Sequence, residues 1–457
     1  MGALAGSVFR PRGWVLMGAG LLALLFAQVL GRRDLLVVSV FLLALPPLAS
    51  AGLRMFSPGF TVRRHFSPAF VETGTTAMVT LEVHGQTPGA AHARIVEQLP
   101  PHLINVPHFD YPNPVAPRSL LSRYNYKLHP TRRGVFTIGP LTAKFSDPFD
   151  VAMLRRSLDK GDMLTVAPAA VALPEISLTG GRGQDGSRST RQQANPSDDD
   201  VMTREYRHGD PLRRVHWPAT ARQGKLMVRA EESVSTPEAA LVLDQRLMAY
   251  SHSGRVVHKV DSLLSTPAFE WAVVAAVSVS AHLLERGYSL RVLDQLGRPG
   301  FHASRSAQEP NREDFSGQSG LLAVAQSLAA LELASENSAL GRSDEHASLS
   351  DTLVDKLVQT RRRGPVIAVT GVLTEADATV LATAIEAAEG AFALIVCQDP
   401  QAVSEPVDIL RRAGWQAVAL TPDTALLNAW SELDAPSPLL KPTTGPRPAH
   451  PIVGGRP

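Results

Sequence analysis

Uncharged, mostly apolar residues fill positions 14–30 and 35–53, and only Gly31-Arg32-Arg33-Asp34 separates the two runs. At 1.5 Å per residue each run spans about 25–30 Å as a helix, close to the thickness of a bilayer's hydrocarbon core. So short a polar link predicts a tight antiparallel transmembrane hairpin over residues 1–56. Pro46-Pro47 is expected to kink the second helix or end it early. A third apolar run, 269–284, carries Glu270, Ser278, Ser280 and His282 and lies between Pro267 and Arg286. Charges at its ends and many alanines predict a helix buried under a sheet rather than a third span.

From 57 to 173 the pattern shortens. Apolar or alternating runs at Thr61-Val62, 76–83, 93–98, 122–128, 135–143 and 163–166 are separated by Pro and Gly turns. Such spacing predicts a small antiparallel, β-sandwich-like domain. Gly74-Thr75 and Thr131-Arg132-Arg133-Gly134 read as hairpin connections. Residues 174–200 are Gly-, Ser- and Asp-rich and read as a flexible linker. Beyond 236, apolar strands (239–243, 288–293, 366–369, 391–396, 415–420) alternate with helical stretches (268–286, 321–334, 349–363, 375–388, 406–413, 422–433), and a polar insert occupies 297–320. That alternation predicts a doubly wound α/β domain with a parallel sheet, taken with its leading segment as 201–435. The Pro-rich stretch 436–457 is expected to be a disordered tail.

Composition narrows the function classes. The chain has 457 residues, roughly three domains' worth on a prior of about 150 each, and is 44% hydrophobic. With 45 Lys+Arg against 43 Asp+Glu, its formal net charge of +2 argues against a nucleic-acid binder with a wholly basic surface. One cysteine, Cys397, excludes an intramolecular disulfide and a multi-thiolate zinc site. Arg10 and Arg12 precede the hairpin and Arg54, Arg63 and Arg64 follow it, against Arg32 and Arg33 in the link. The positive-inside bias therefore places the soluble parts of a multi-pass cell-membrane protein on the cytoplasmic side. A cleaved signal peptide would leave the second apolar run unexplained.

The densest chemistry lies between linker and α/β domain. Residues 204–229 hold seven Lys/Arg together with Tyr206 and Trp217. Gly209 supplies a turn, Asp210 a cap and Pro211 a first helical position, so a short helical turn carrying Arg213 and Arg214 is expected before Trp217-Pro218 stops it. The order Arg204-x-Tyr206-x-x-Gly209-Asp210-x-x-Arg213-x-x-His216-Trp217-x-x-x-Ala221-Arg222-x-Gly224-x-Leu226-x-Val228, followed by a strand ending in Asp244, resembles the domain of unknown function 58 family. This resemblance implies a membrane location and a von Willebrand factor A-like α/β domain. It also implies association with AAA+ ATPases of the MoxR type and with membrane transglutaminase-like proteins, and no established reaction. Arg204, Tyr206, Gly209, Asp210, Arg213, Arg214, His216, Trp217 and Arg222 are the expected partner-binding residues. An equally plain reading makes part of the segment structural, with Asp210 on an arginine and Trp217 filling a gap against the sheet.

Metal and catalytic signals are thin. A metal-binding von Willebrand-type domain places Asp-x-Ser-x-Ser after its first strand, because a hard divalent ion needs an oxygen shell. This chain reads Asp244-Gln245-Arg246-Leu247-Met248, and Val369-Thr370-Gly371 lacks an acid beside its glycine. Asp244 is therefore a degenerate metal position, expected to pair with Arg246 or with an arginine of the preceding segment; no metal and no cofactor are expected. His84, His92, His102 and His108 show no metal-ligand spacing, and neither a Gly-x-Ser-x-Gly elbow nor a phosphate-cradling Walker loop occurs. The expectation is a non-enzymatic interaction protein. The alternatives are an envelope hydrolase built on Asp210, His216 and Asp244, or a metal-dependent adhesion domain.

Overall fold

The computed structural model describes residues 9–55, 59–85, 93–103, 106–116, 119–147, 149–178, 203–206, 215–229, 236–251, 258–260, 263–334, 348–359 and 364–434. The tail 436–457 and most of the expected linker lie outside them.

Two apolar helices, α1 (Pro11–Leu30) and α2 (Arg33–Met55), open the chain and pack against each other. Each is long and apolar enough to cross a membrane, with mean hydropathy 2.0 and 2.1. The expected early end of the second helix does not occur. α2 runs through Pro46 and Pro47 to Met55, and Ser50 Oγ donates to the Pro47 carbonyl at 2.9 Å. The prolines remove the i+4 donors of the Leu42 and Leu43 carbonyls, a loss that apolar helices of this kind tolerate.

The β region contains β1 (Thr61–Ser67), β2 (Val71–Glu72), β3 (Ala77–His84), β4 (Ala93–Glu97), β5 (His108–Tyr111), β6 (Leu121–Leu128), β7 (Gly134–Ile138), β8 (Leu141–Ser146), β9 (Met153–Ser157) and β10 (Asp162–Ala167). One layer is the sheet β1-β3-β6; facing it are two sheets, β2-β10-β7 and β5-β4-β8-β9. β3 explains the arrangement. Its alternate residues Ala77 and Val79 bury against Phe136, Ile138 and Leu164, while Leu81 and Val83 bury against Ile95, Leu141 and Phe145. The run 135–143 is consequently two strands, not one: the chain leaves one sheet and enters the other at Gly139-Pro140. Neither expected hairpin forms, since β2 and β3, like β6 and β7, belong to different sheets.

After this region come β11 (Thr203–Glu205), α3 (Trp217–Gln223) and β12 (Met227–Arg229), then the α/β domain. That domain comprises β13 (Glu238–Leu243), α4 (Leu247–Tyr250), β14 (His258–Val260), β15 (Leu263–Ser265), α5 (Pro267–Glu285), β16 (Ser289–Asp294), β17 (Asp314–Phe315), α6 (Gly317–Ala329), α7 (Asp351–Val358), β18 (Pro365–Thr370), α8 (Glu375–Thr383), β19 (Gly390–Val396), α9 (Ser404–Ala413), β20 (Gln416–Leu420) and α10 (Leu426–Leu433). Its sheet runs β17-β16-β13-β18-β19-β20, parallel except for the edge strand β17. α5, α6 and α10 cover one face and α7, α8 and α9 the other, each over its own core. The third apolar run is α5, whose Phe269, Val273, Val277 and Leu283 are completely or almost completely buried. Ser278 and Ser280 satisfy their hydroxyls on carbonyls four residues back.

The β region is fastened to the α/β domain. Arg133, 2% exposed at its side chain, forks onto Glu270 of α5 with two 2.9 Å contacts. It also donates to the carbonyls of Leu328 and Leu331 at 2.7 Å each, at the C-terminal end of α6. A cation there meets the negative end of the helix dipole. The start of the expected linker is also ordered. Trp430 Nε1 donates to the Pro174 carbonyl at 3.0 Å, Ser177 N–H to Asp434, and Ile176 and Leu178 pack against the α/β core. Residues 174–178 form a strap across α5 and α10.

Candidate functional site

The arginine-rich segment folds locally. β11 and β12 pair antiparallel, and Tyr206 N–H donates to the Leu226 carbonyl at 2.8 Å. His216 N–H donates to the Met227 carbonyl at 2.8 Å, and Val215 bridges Val228. Trp217-Pro218 begins a helix rather than stopping one. His216 is its N-cap, with Nδ1 accepting from Ala219 N–H at 3.2 Å. Pro218 fits because a first-turn residue has no intrahelical N–H bond to lose. Thr220 Oγ1 ties the ends together, donating to the His216 carbonyl and accepting from Met227 N–H, both at 3.0 Å.

Val215, Met227 and Val228 are buried beneath this unit, whereas Trp217 is 66% exposed and Arg222 lies open. The gap-filling role expected for Trp217 is therefore not what the structure has; the indole faces outward. Lys225 and Glu205 pair at 2.9 Å on the surface. Tyr206 and His216 are half-buried, and Arg204 lies on β11. Gly209, Asp210, Arg213 and Arg214 lie outside the described residues, as does the short turn expected to carry the two arginines. His216 is committed to capping through Nδ1, so the described part of the segment holds no nucleophile–base pair.

The second candidate is the sheet's carboxyl edge. In open α/β sheets ligands gather where the strand order reverses, here between β13 and β18. Asp244 follows β13 and is completely buried. Its carboxylate accepts from Arg246: 3.0 Å to Nε and 2.8 Å to Nη2. The same guanidinium reaches Asp377 of α8, with Nη1 at 3.1 and 3.2 Å from its two oxygens. Arg246 is 4% exposed at its side chain, and Asp377 and Asp244 essentially not at all. Burial disfavours the charge on Arg246, but the two carboxylates outweigh it and hold its pKa above the ordinary arginine value.

The expected Asp244–Arg246 pair is thus present, and Asp377 completes it. A divalent ion between these carboxylates would have to displace a guanidinium tethered two residues from one of them. These residues do not fit a metal ion. Among the described residues no group of three or more His, Cys, Asp or Glu is arranged to hold one.

Asp377 was not singled out by sequence reasoning, although its signal was there. Thr374-Glu375-Ala376-Asp377 is a capping box, with Thr374 Oγ1 and the Asp377 carboxylate each accepting the other's backbone N–H at 3.1 Å. The same carboxylate accepts Leu349 N–H at 2.7 Å. Two further buried polar positions at this edge, Gln245 and Gln295, bond each other, Gln245 N–H donating to Gln295 Oε1 at 3.2 Å. Elsewhere, burial pushes the Cys397 thiol up to about 11, as befits a small core residue.

No curated protein sequence matches the chain. Among solved structures, the PilB minor pilin from Streptococcus sanguinis is similar over 75% of this chain and 86% of that one, at 9% identity and a TM-score of 0.26, a likeness too slight to bear on the fold. The model of the family described as Protein of unknown function DUF58 matches residues 202–277, from the start of the arginine-rich segment into α5, and this match supports the DUF58 family for the chain.

Proposed function

We propose that this is a membrane-anchored, non-enzymatic interaction protein whose 204–229 segment docks a partner, a MoxR-type AAA+ ATPase at the cytoplasmic face, in cell-envelope-related assembly. The observation that carries the reading is the outward-facing indole of Trp217, 66% exposed on a unit that also exposes Arg222 while its Val215, Met227 and Val228 are buried. A tryptophan among arginines is the composition of an interface anchor, and nothing in the local fold requires it to face solvent. Arg213 and Arg214 add positive charge for an acidic patch on the partner.

The α/β domain is read as von Willebrand factor A-like. Its doubly wound sheet and Asp244 at the switch point support that reading, and Arg246 supports a metal-independent version of it. A membrane transglutaminase-like protein is the second candidate partner.

Replacing Arg213, Arg214 and Trp217 together by alanine should abolish capture of the ATPase from solubilised membranes. Each true anchor contributes about 2 kcal/mol or more, roughly 30-fold in Kd. Because Trp217 is exposed, Trp217→Ala alone should melt like the parent and still weaken capture. Unchanged capture would overturn the proposal.

A further inference from the structure

We infer that the turn joining β8 to β9 is a second membrane-contact site, placing Phe149 in the headgroup region beside the first helix and the arginines around it on anionic lipid. The inference rests on the hairpin spanning a bilayer and is independent of the ATPase reading. The turn is built, not slack. Asp147 is buried, and its carboxylate accepts the backbone N–H groups of Phe149 at 3.0 Å, Val151 at 2.8 Å and Ala152 at 2.6 Å. The chain is so shaped that Phe149 stands out at 66% exposure. A large apolar side chain presented to water by an anchored backbone has no benefit to folding; in a bilayer interface it does.

Its position relative to the helices supplies the occupant. Arg10 N–H donates to the Val151 carbonyl at 2.9 Å, Phe9 bridges Ala152, and the Arg10 guanidinium pairs with Asp150. Arg12 lies 3.7 Å from the other oxygen of Asp150. A Cβ at Gly13 would fall 2.6 Å from the Val151 carbonyl oxygen, so the turn sits directly on the first turn of α1. Phe149 therefore lies at the level where α1 enters lipid. Phe9 and Trp14 make an edge contact there, 5.9 Å between centroids, with Trp14 58% exposed. That is the composition of an interfacial aromatic belt.

The other end of the hairpin agrees. Leu53 of α2 packs into the β-region core, and β9 packs against α2. Arg155 and Arg156 of β9 and Arg54 of α2 are exposed there. Juxtamembrane arginines are attracted to anionic headgroups over about a Debye length, ~10 Å at moderate salt. The aromatic belt, the exposed Phe149 and the arginines thus form one surface continuous with the spanning helices. A lipid surface fits it better than a soluble protein, which would have to approach past the bilayer.

The test uses the full chain in vesicles of phosphatidylcholine with a minority of phosphatidylglycerol. A Cys397→Ala/Phe149→Cys variant is labelled with an environment-sensitive fluorophore, beside Cys397→Ala/Ser431→Cys on the exposed side of α10 as the aqueous control. The label at 149 should be quenched by lipids carrying a shallow doxyl group and be severalfold less accessible to aqueous iodide than the control. An iodide-accessible label in protein that resists alkaline carbonate extraction overturns the inference while leaving the hairpin intact. A label shielded from iodide yet unquenched by doxyl lipid means a protein covers the turn, which also overturns it. Release by carbonate removes the hairpin and the inference together. Independently, Phe149→Ala should leave the melting temperature in detergent unchanged and lower it in anionic vesicles; a drop in detergent shows Phe149 packing on the protein and overturns the inference.

Discussion

Arg246 shows how one side chain can change the chemistry of a site. Two carboxylates, Asp244 and Asp377, converge at the switch point of the sheet, and the chain supplies its own cation between them. Removing that cation should leave two buried charges without a counter-ion. Arg246→Ala is expected to destabilise the protein by about 3–5 kcal/mol, the usual cost of breaking a buried pair, read by chemical denaturation in detergent. A second buried arginine, Arg64, meets Glu97 at 2.7 Å and Asp162 at 2.9 Å and also pairs with Asp159. Burial pushes Glu97 up to about 7 despite the pull of Arg64. Its folded pKa is raised, so its contribution to stability is full below about 4.5 and is lost as pH rises through about 7. Relative to Glu97→Gln, the parent should therefore gain stability as pH falls across that window. A pH-independent difference between the two proteins would refute this assignment.

At the scale of elements, neighbours decided what local patterns left open. The alternation over 76–83 identifies β3 in the sequence, because period-two burial survives whichever sheet the strand joins. Which sheet it joins does not. β3 faces two opposing sheets, and the run 135–143 is divided between them at Gly139-Pro140, a division no hydropathy pattern records. Trp217-Pro218 misled for a related reason: proline ends a helix or opens one, and only the partners of His216 and Thr220 tell which. Arg133 joins elements that lie far apart in sequence, and its polar surroundings give no local sign of that role. Arg133→Ala should cost about 1–3 kcal/mol, less than a fully buried pair because Glu270 is half-exposed. It should also raise hydrogen exchange in the last turn of α6 and the first of α5, with α8 and α9 unchanged.

For the molecule as a whole, the hairpin sets the geometry. Both its outer ends sit on the β region, Arg10 through Val151 and Asp150, Leu53 through the β-region core. An epitope placed before α1 and the exposed Arg94 of β4 should therefore behave alike in sealed vesicles, both cut by trypsin or both protected. One cut and the other spared would exclude a hairpin. The strap 174–178 and Arg133 bind the β region to the α/β domain, so an event at either should be felt at the other. From there the DUF58-matching segment presents Trp217 and Arg222.

The order of structure types along the chain was legible in the sequence: two oily helices, short alternating strands, then strands alternating with helices. Each follows from a periodicity that one stretch of chain carries by itself, whatever surrounds it. Even the pairing of Asp244 with Arg246 could be read there, because two residues of separation already bring them within reach. What joins distant stretches was decided only in three dimensions. Asp377 lies 131 positions from Arg246 and Glu270 lies 137 from Arg133, and Asp150 is separated from Arg10 by 140. Partners such as these are chosen by how sheets and helices stack, which depends on the burial of every face at once and is written in no single segment.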